Sequence, residues 1–196
     1  MIDVKSMGIL NDSVCPLRET SKYNYGGNDF YMTNSTLSVV NFDLVKDRYI
    51  ETLSVPETPK SSDAFYVDNS EEMYLIEFKS GKMDTKKIFD VRLKIFDSLL
   101  MLTDILNRGI SHTRLNLSYV LVYNETKNPF TKDEKYGLQI SQSRINIGKY
   151  FSKKGKKKFV RFSLERFERL YFKDVFTVTE EEFENDFVKI WSKSDS

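Results

Sequence analysis

The chain has 196 residues, of which 40% are hydrophobic and 14% aromatic, enough for one domain whose core needs no disulfide or structural metal. Its 30 Lys and Arg almost cancel its 29 Asp and Glu, so a net charge of +1 points to no partner. The single cysteine, Cys15, and the single histidine, His112, exclude a disulfide framework, Cys- or His-rich metal clusters and most Ser-His or Cys-His hydrolase designs. Carboxylates and lysines are the catalytic groups that remain.

At the N-terminus, Asp3 and Lys5 interrupt what would have to be the apolar stretch of a signal peptide. No apolar run approaches the roughly 20 residues that cross a bilayer. The expected compartment is the cytoplasm, with no membrane partner. Residues 1–36 are rich in Asn, Ser, Gly and Tyr and read as an N-terminal extension of loops and short strands, with a turn at Gly26-Gly27-Asn28. From Leu37 to Leu53, Phe42, Val45, Tyr49, Ile50 and Leu53 recur at helical intervals, and Pro56 and Pro59 end that helix. Two short runs follow, Asp63 to Val67 and Met73 to Lys79, separated by the polar residues 68–72; this is the pattern of a β-hairpin.

After Ser80-Gly81, Ile88, Val91, Ile95, Leu99, Leu102 and Leu106 mark a long amphipathic helix that Gly109 stops. Leu115 to Tyr123 is a near-continuous apolar run suited to a strand covered on both faces. A strand, a long helix and a strand in one sheet imply a crossover and parallel pairing. The expected class is therefore α/β, a mixed sheet flanked by helices, with a core at about 37–123 in a single domain spanning 1–196. Residues 124–196 are expected to add a basic segment and further helices. Ser163 opens one helix to Phe172, and Thr179 with Glu182 forms a capping box for another ending at Trp191.

Chemistry gathers on the hairpin. Glu77 and Lys79 are two apart and leave the same face of their strand, while Phe78 points to the other. If Val67 and Met73 flank the loop, the register sets Asp63 opposite Glu77. Two carboxylates that close repel unless a proton or a cation lies between them. Mg²⁺ is the natural cation, commonly held by one or two carboxylates and completed by water and phosphate. Lys79 beside it is suited to orienting water for phosphodiester hydrolysis. Asp/Glu-x-Lys also occurs at Asp3-Lys5, Asp84-Lys86, Glu125-Lys127 and Asp133-Lys135, so the triplet alone carries nothing. Only at Glu77 does it end an apolar strand, follow an in-register aspartate and precede a Ser-Gly break and a long helix.

These residues, in Ser61-Ser-Asp-Ala-Phe-Tyr-Val-Asp68 and Tyr74-Leu-Ile-Glu-Phe-Lys-Ser-Gly81, resemble the PD-(D/E)xK nuclease superfamily, and the element order over 37–123 fits its helix-strand-strand-helix-strand core. The resemblance covers under half of the chain, and Ser62 stands where the motif has proline. It implies a restriction-endonuclease-like fold and an Mg²⁺- or Mn²⁺-dependent nuclease with DNA as the expected polymer. Asp63, Glu77 and Lys79 would be catalytic, with Asp63, Glu77 and the backbone carbonyl of Phe78 holding the ion. Members often add an acid from the preceding helix, for which Glu51 is the candidate and Asp47 the other choice.

Lys153, Lys154, Lys156, Lys157, Lys158 and Arg161, with Lys149, form a cationic run without an acid, interleaved with Tyr150, Phe151 and Phe159, and read as a nucleic-acid contact or a solvated loop. Lys86, Lys87, Arg92 and Lys94 read as the wet face of the long helix, and His112 as a surface-loop residue. Three alternatives accompany the nuclease. The first is a catalytically inactive member of the same fold, acting as a nucleic-acid-binding or protein-interaction subunit in a defence, recombination or mobile-element system. The second is a structural ion pair formed by Asp63, Glu77 and Lys79. The third is an α/β interaction protein with a coincidental motif. A homodimer or a protein partner is allowed and not required.

Overall fold

The computed structural model describes residues 7–51, 53–132, 134 and 159–194. Among them the chain runs α1 (Gly8–Asn11), β1 (Val14–Pro16), α2 (Leu17–Thr20), β2 (Lys22–Tyr25), β3 (Asn28–Tyr31), β4 (Ser38–Asn41), α3 (Phe42–Ile50), β5 (Ala64–Val67) and β6 (Met73–Lys79). It continues with α4 (Thr85–Ile105), α5 (Ile110–Asn116), β7 (Leu117–Tyr123), β8 (Val175–Thr179), α6 (Glu180–Phe183), a π-helical turn (Glu184–Val188) and α7 (Lys189–Ser194). Six strands form one sheet in the order β1-β4-β5-β6-β7-β8, and β2 and β3 form a separate hairpin. Pairing is antiparallel from β1 to β6 and parallel across β6/β7 and β7/β8. The class is α/β with a mixed sheet flanked by helices, as expected.

The period-two alternation of the strands sends side chains to two cores. Phe65, Leu75, Tyr119 and Leu121 pack against Phe42 and Val45 of α3 and Val91, Ile95, Leu99 and Leu102 of α4. Tyr66, Ile76, Phe78, Val120 and Val122 pack on the opposite face against Phe183, Phe187, Val188 and Trp191. The Thr179–Glu182 capping box opens α6 as the sequence predicts. α4 begins at an Asp84 cap whose side chain accepts from the Lys87 N–H. Among the described residues no helix is long and apolar enough to cross a membrane.

Three sequence expectations are corrected. The helix expected from Leu37 starts at Phe42, because Ser38–Asn41 pairs with both β1 and β5 as a strand and Asn41 then caps α3 through the Leu44 N–H. Residues 163–172 do not form an α-helix. Phe162, Ser163 and Arg169 adopt positive φ of 61°, 53° and 63°, which leaves only a 3₁₀ turn at Glu165–Phe167. His112 lies on α5 and not in a loop, half-buried, with Asn116 Nδ2 3.2 Å from its Nδ1. The sheet also outgrows the expected core, since β1 and β8 are its edges.

Candidate active site

The register of β5 with β6 pairs Ala64 with Ile76 and Val67 with Met73, so Asp63, one residue before β5, meets Glu77 as expected. Asp63 is locked by its backbone neighbours. The Lys60 N–H donates to Asp97 Oδ2 (2.8 Å) and the Ser62 N–H to Ser98 Oγ (2.7 Å), which ties the approach to β5 onto α4. Asp63 Oδ2 then accepts from the Phe78 N–H at 2.6 Å. Glu77 alternates with Leu75 on β6 and sits opposite Leu121 of β7, so the sheet's apolar face buries it completely, at 0% exposure.

A carboxylate in that position needs compensation. It comes from two lysines. Lys79 Nζ donates to Glu77 Oε1 at 2.5 Å, and Lys94 Nζ, reaching in from α4, donates to the same oxygen at 2.8 Å and to Asp63 Oδ1 at 3.0 Å. Glu77 Oε2, equally buried, has no hydrogen-bond partner among the described residues. Burial and the neighbouring Glu77 charge push the Asp63 carboxyl up to about 7. Burial opposes the Lys94 charge, but Glu77 and Asp63 outweigh it and hold that ammonium above its ordinary value. Burial and the same two carboxylates raise the Tyr119 phenol well above its usual value, with its strand β7 lying beside β6.

The cleft that reaches this cluster has a volume of about 190 Å³ and is lined by Asp63, Phe78, Ser80, Asp43, Glu19 and Lys22, among others. Asp63 forms part of its wall, while Glu77, Lys79 and Lys94 do not line it. Asp43, in the first turn of α3, accepts from Ser61 Oγ. The helix acid facing the site is therefore Asp43. Glu51, the sequence candidate, is the exposed cap at the far end of α3, about 12 Å along the axis from Asp43 at 1.5 Å per residue. Asp47 is also exposed and pairs with Lys46.

The basic run divides. Lys149, Lys153, Lys154, Lys156, Lys157 and Lys158 lie outside the described residues. Arg161 is corrected as a phosphate contact, being 4% exposed and hydrogen bonded to Glu134 Oε1 and Oε2 and to the carbonyls of Asn128 and Pro129. Lys94, assigned by sequence to the wet face of α4, is the residue whose role changes most. The sequence did carry a signal for it, because Lys94 is three residues after Val91 and four before Ser98, both on the buried face of that helix.

Among the described residues no group of three or more His, Cys, Asp or Glu side chains is gathered to hold a metal ion. The two carboxylates nevertheless fit a hard divalent ion that keeps much of its water. Asp63 Oδ1 and Glu77 Oε1 already share one cation, the Lys94 ammonium, and Glu77 Oε2 is a buried acceptor left without a donor. No protein-family model, curated protein or solved structure matches the chain.

Proposed function

We propose that this chain is an Mg²⁺- or Mn²⁺-dependent nuclease that hydrolyses phosphodiester bonds, with DNA as the expected polymer, on a restriction-endonuclease-like core. The observation that carries the reading is the pair Asp63 and Glu77, joined through one ammonium, with Lys79 on the same face. The order α3-β5-β6-α4-β7, antiparallel at β5/β6 and parallel at β6/β7, supports the finer assignment of the core.

Asp63, Glu77 and the Phe78 carbonyl would hold the ion. When bound, it supplies Lewis acidity toward a phosphoryl oxygen and makes water a stronger acid. Lys79, about one-fifth exposed, keeps a positive charge beside Glu77, where it can orient water and offset charge growing on a phosphate. Asp63 is a proton carrier close to neutrality, so it can give up its proton when a cation arrives. Asp43 and Glu19 add negative charge to the cleft wall, which draws a cation in.

One observation favours the catalytically inactive alternative: two lysines already neutralise two carboxylates, so the cluster is balanced as it stands. Both readings meet in one experiment. Circular, linear, single-stranded, branched and RNA substrates are incubated with Mg²⁺ or Mn²⁺, beside an EDTA control and the Glu77→Ala and Lys79→Ala proteins. The nuclease is expected to need metal and to lose about 10³-fold or more in each variant. Undiminished cleavage by both variants would exclude this site. Salt-sensitive binding with every substrate left intact would establish the binding subunit instead.

A further inference from the structure

Lys94 is not part of the Glu-x-Lys triplet, yet it makes the central contact of the cluster. Its ammonium lies between the carboxylates, 3.0 Å from Asp63 Oδ1 and 2.8 Å from Glu77 Oε1, whereas Lys79 reaches Glu77 alone. The two oxygens that share the ammonium belong to the two carboxylates that would hold a divalent ion. Mg²⁺ binds its oxygens at about 2.1 Å, so an ion and an ammonium cannot both occupy the gap between one pair of carboxylates. Charge leads to the same exclusion. With Asp63 ionised, the two carboxylates balance Lys79 and Lys94, and a divalent ion added without displacement leaves an excess of two positive charges in a mostly buried site.

Resting on the metal-site reading above, we propose that Lys94 is a built-in counter-ion that competes with the divalent ion for Asp63 and Glu77, so that ion entry and withdrawal of Lys94 are a single exchange. The lysine stem is unbranched and ends in a compact ammonium, which lets it leave without moving α4. The Lys94 side chain is one-fifth exposed, so a path outward exists. Two consequences follow from the exchange. The ion binds more weakly than its ligand set alone would dictate, because it must first displace an ammonium. The metal-free protein is held together at this point by Lys94, because without it Asp63 and Glu77 face each other with Lys79 as the remaining cation.

The test is Mn²⁺ binding to the whole chain, measured by calorimetry and by electron paramagnetic resonance, together with thermal unfolding in EDTA and in Mn²⁺. Wild type is compared with Lys94→Met, Lys94→Gln, Lys79→Met and Asp63→Asn. Both Lys94 variants are expected to bind Mn²⁺ at least tenfold tighter than wild type and to unfold at a lower temperature in EDTA. Their midpoints should rise more than the wild-type midpoint when Mn²⁺ is added. Lys79→Met should change affinity less, and Asp63→Asn should lose the ion. Affinity unchanged or weakened in both Lys94 variants, with Asp63→Asn still losing the ion, would overturn the exchange while leaving the metal site standing. Absence of Mn²⁺ binding in every protein would overturn the exchange and the metal site together. Tight binding without cleavage would remove only the nuclease.

Discussion

Among the described residues two buried charged clusters, around Arg161 and around Glu77, are built in opposite ways. Around Arg161 each guanidinium nitrogen has an acceptor. Nε and Nη2 fork onto the two Glu134 oxygens at 2.9 and 3.1 Å, Nη1 takes the Asn128 carbonyl at 2.7 Å, and the guanidinium lies 4.3 Å from the Phe130 ring centre and 4.8 Å from that of Tyr123. Around Glu77 the matching fails. Two ammoniums converge on Oε1 while Oε2, in the same apolar wall, has none. A fully satisfied planar fork holds a structure together. An acceptor left over where charge is expensive marks a place whose cations can be exchanged. Burial alone does not distinguish the two clusters, but hydrogen-bond accounting does.

The contrast is most sharply broken at Arg161. Arg161→Met strands Glu134 and two backbone carbonyls, and the expected loss is about 3 kcal/mol of stability, read as a lower urea midpoint. The loss should spread toward the site. The Asn128 side chain braces the turn after β6, accepting from the Met83 N–H at 2.7 Å and donating to the Gly81 carbonyl at 3.0 Å, and its backbone is what Arg161 grips. A variant that kept its stability and lost affinity for nucleic acid would restore Arg161 to the phosphate-binding role it has by sequence.

A smaller effect separates the two ends of α3. Asp43→Asn removes a carboxylate from the cleft wall and is expected to lower metal-dependent cleavage by about 10- to 100-fold, as outer-shell changes at metal sites do. Glu51→Gln, at the end away from the cleft, should leave cleavage unchanged. The reverse pattern in the same assay would return the helix acid to Glu51.

What the sequence disclosed followed from period and register. β6, α4 and the parallel β7 rest on apolar positions repeating over seven residues or more, and the short loop that joins β5 to β6 fixes the register in which Asp63 meets Glu77, although β7 begins at Leu117 and not at Leu115. β1, β4 and β8 escaped because strands of three to five residues show little alternation and, unlike β5, none is joined by a short loop to a longer strand that marks it. The supposed helix after Ser163 failed on backbone angles that no side-chain pattern reports. Lys94 was hidden for a different reason. Its charge argued for the wet face of α4, and only the depth of Glu77, a carboxylate on an apolar face, gave a lysine cause to turn inward. A helical wheel read together with the neighbouring strand's buried acid would have paired them.

The smallest effect concerns pH, and its sign is opposite to that of an ordinary salt-bridged aspartate. Asp63 is pushed up to about 7 by burial and by Glu77, against about 3.9 in an unfolded chain, so between those values the native state holds a proton that the unfolded state has released. The stabilisation from this group is therefore full below about pH 4 and lost as pH rises through 7. His112, lowered by burial and by Arg108, works the other way over part of the range, because its native form sheds a proton that the unfolded chain keeps. Comparison with Asp63→Asn removes that background. Between pH 6 and pH 8 the wild type is expected to lose about 1 kcal/mol more than the Asn variant in urea unfolding. Equal losses would mean that Asp63 stays ionised throughout, with the Lys94 and Lys79 ammoniums offsetting the two negative charges; the unpartnered Glu77 Oε2 would then be what still separates this cluster from the one around Arg161.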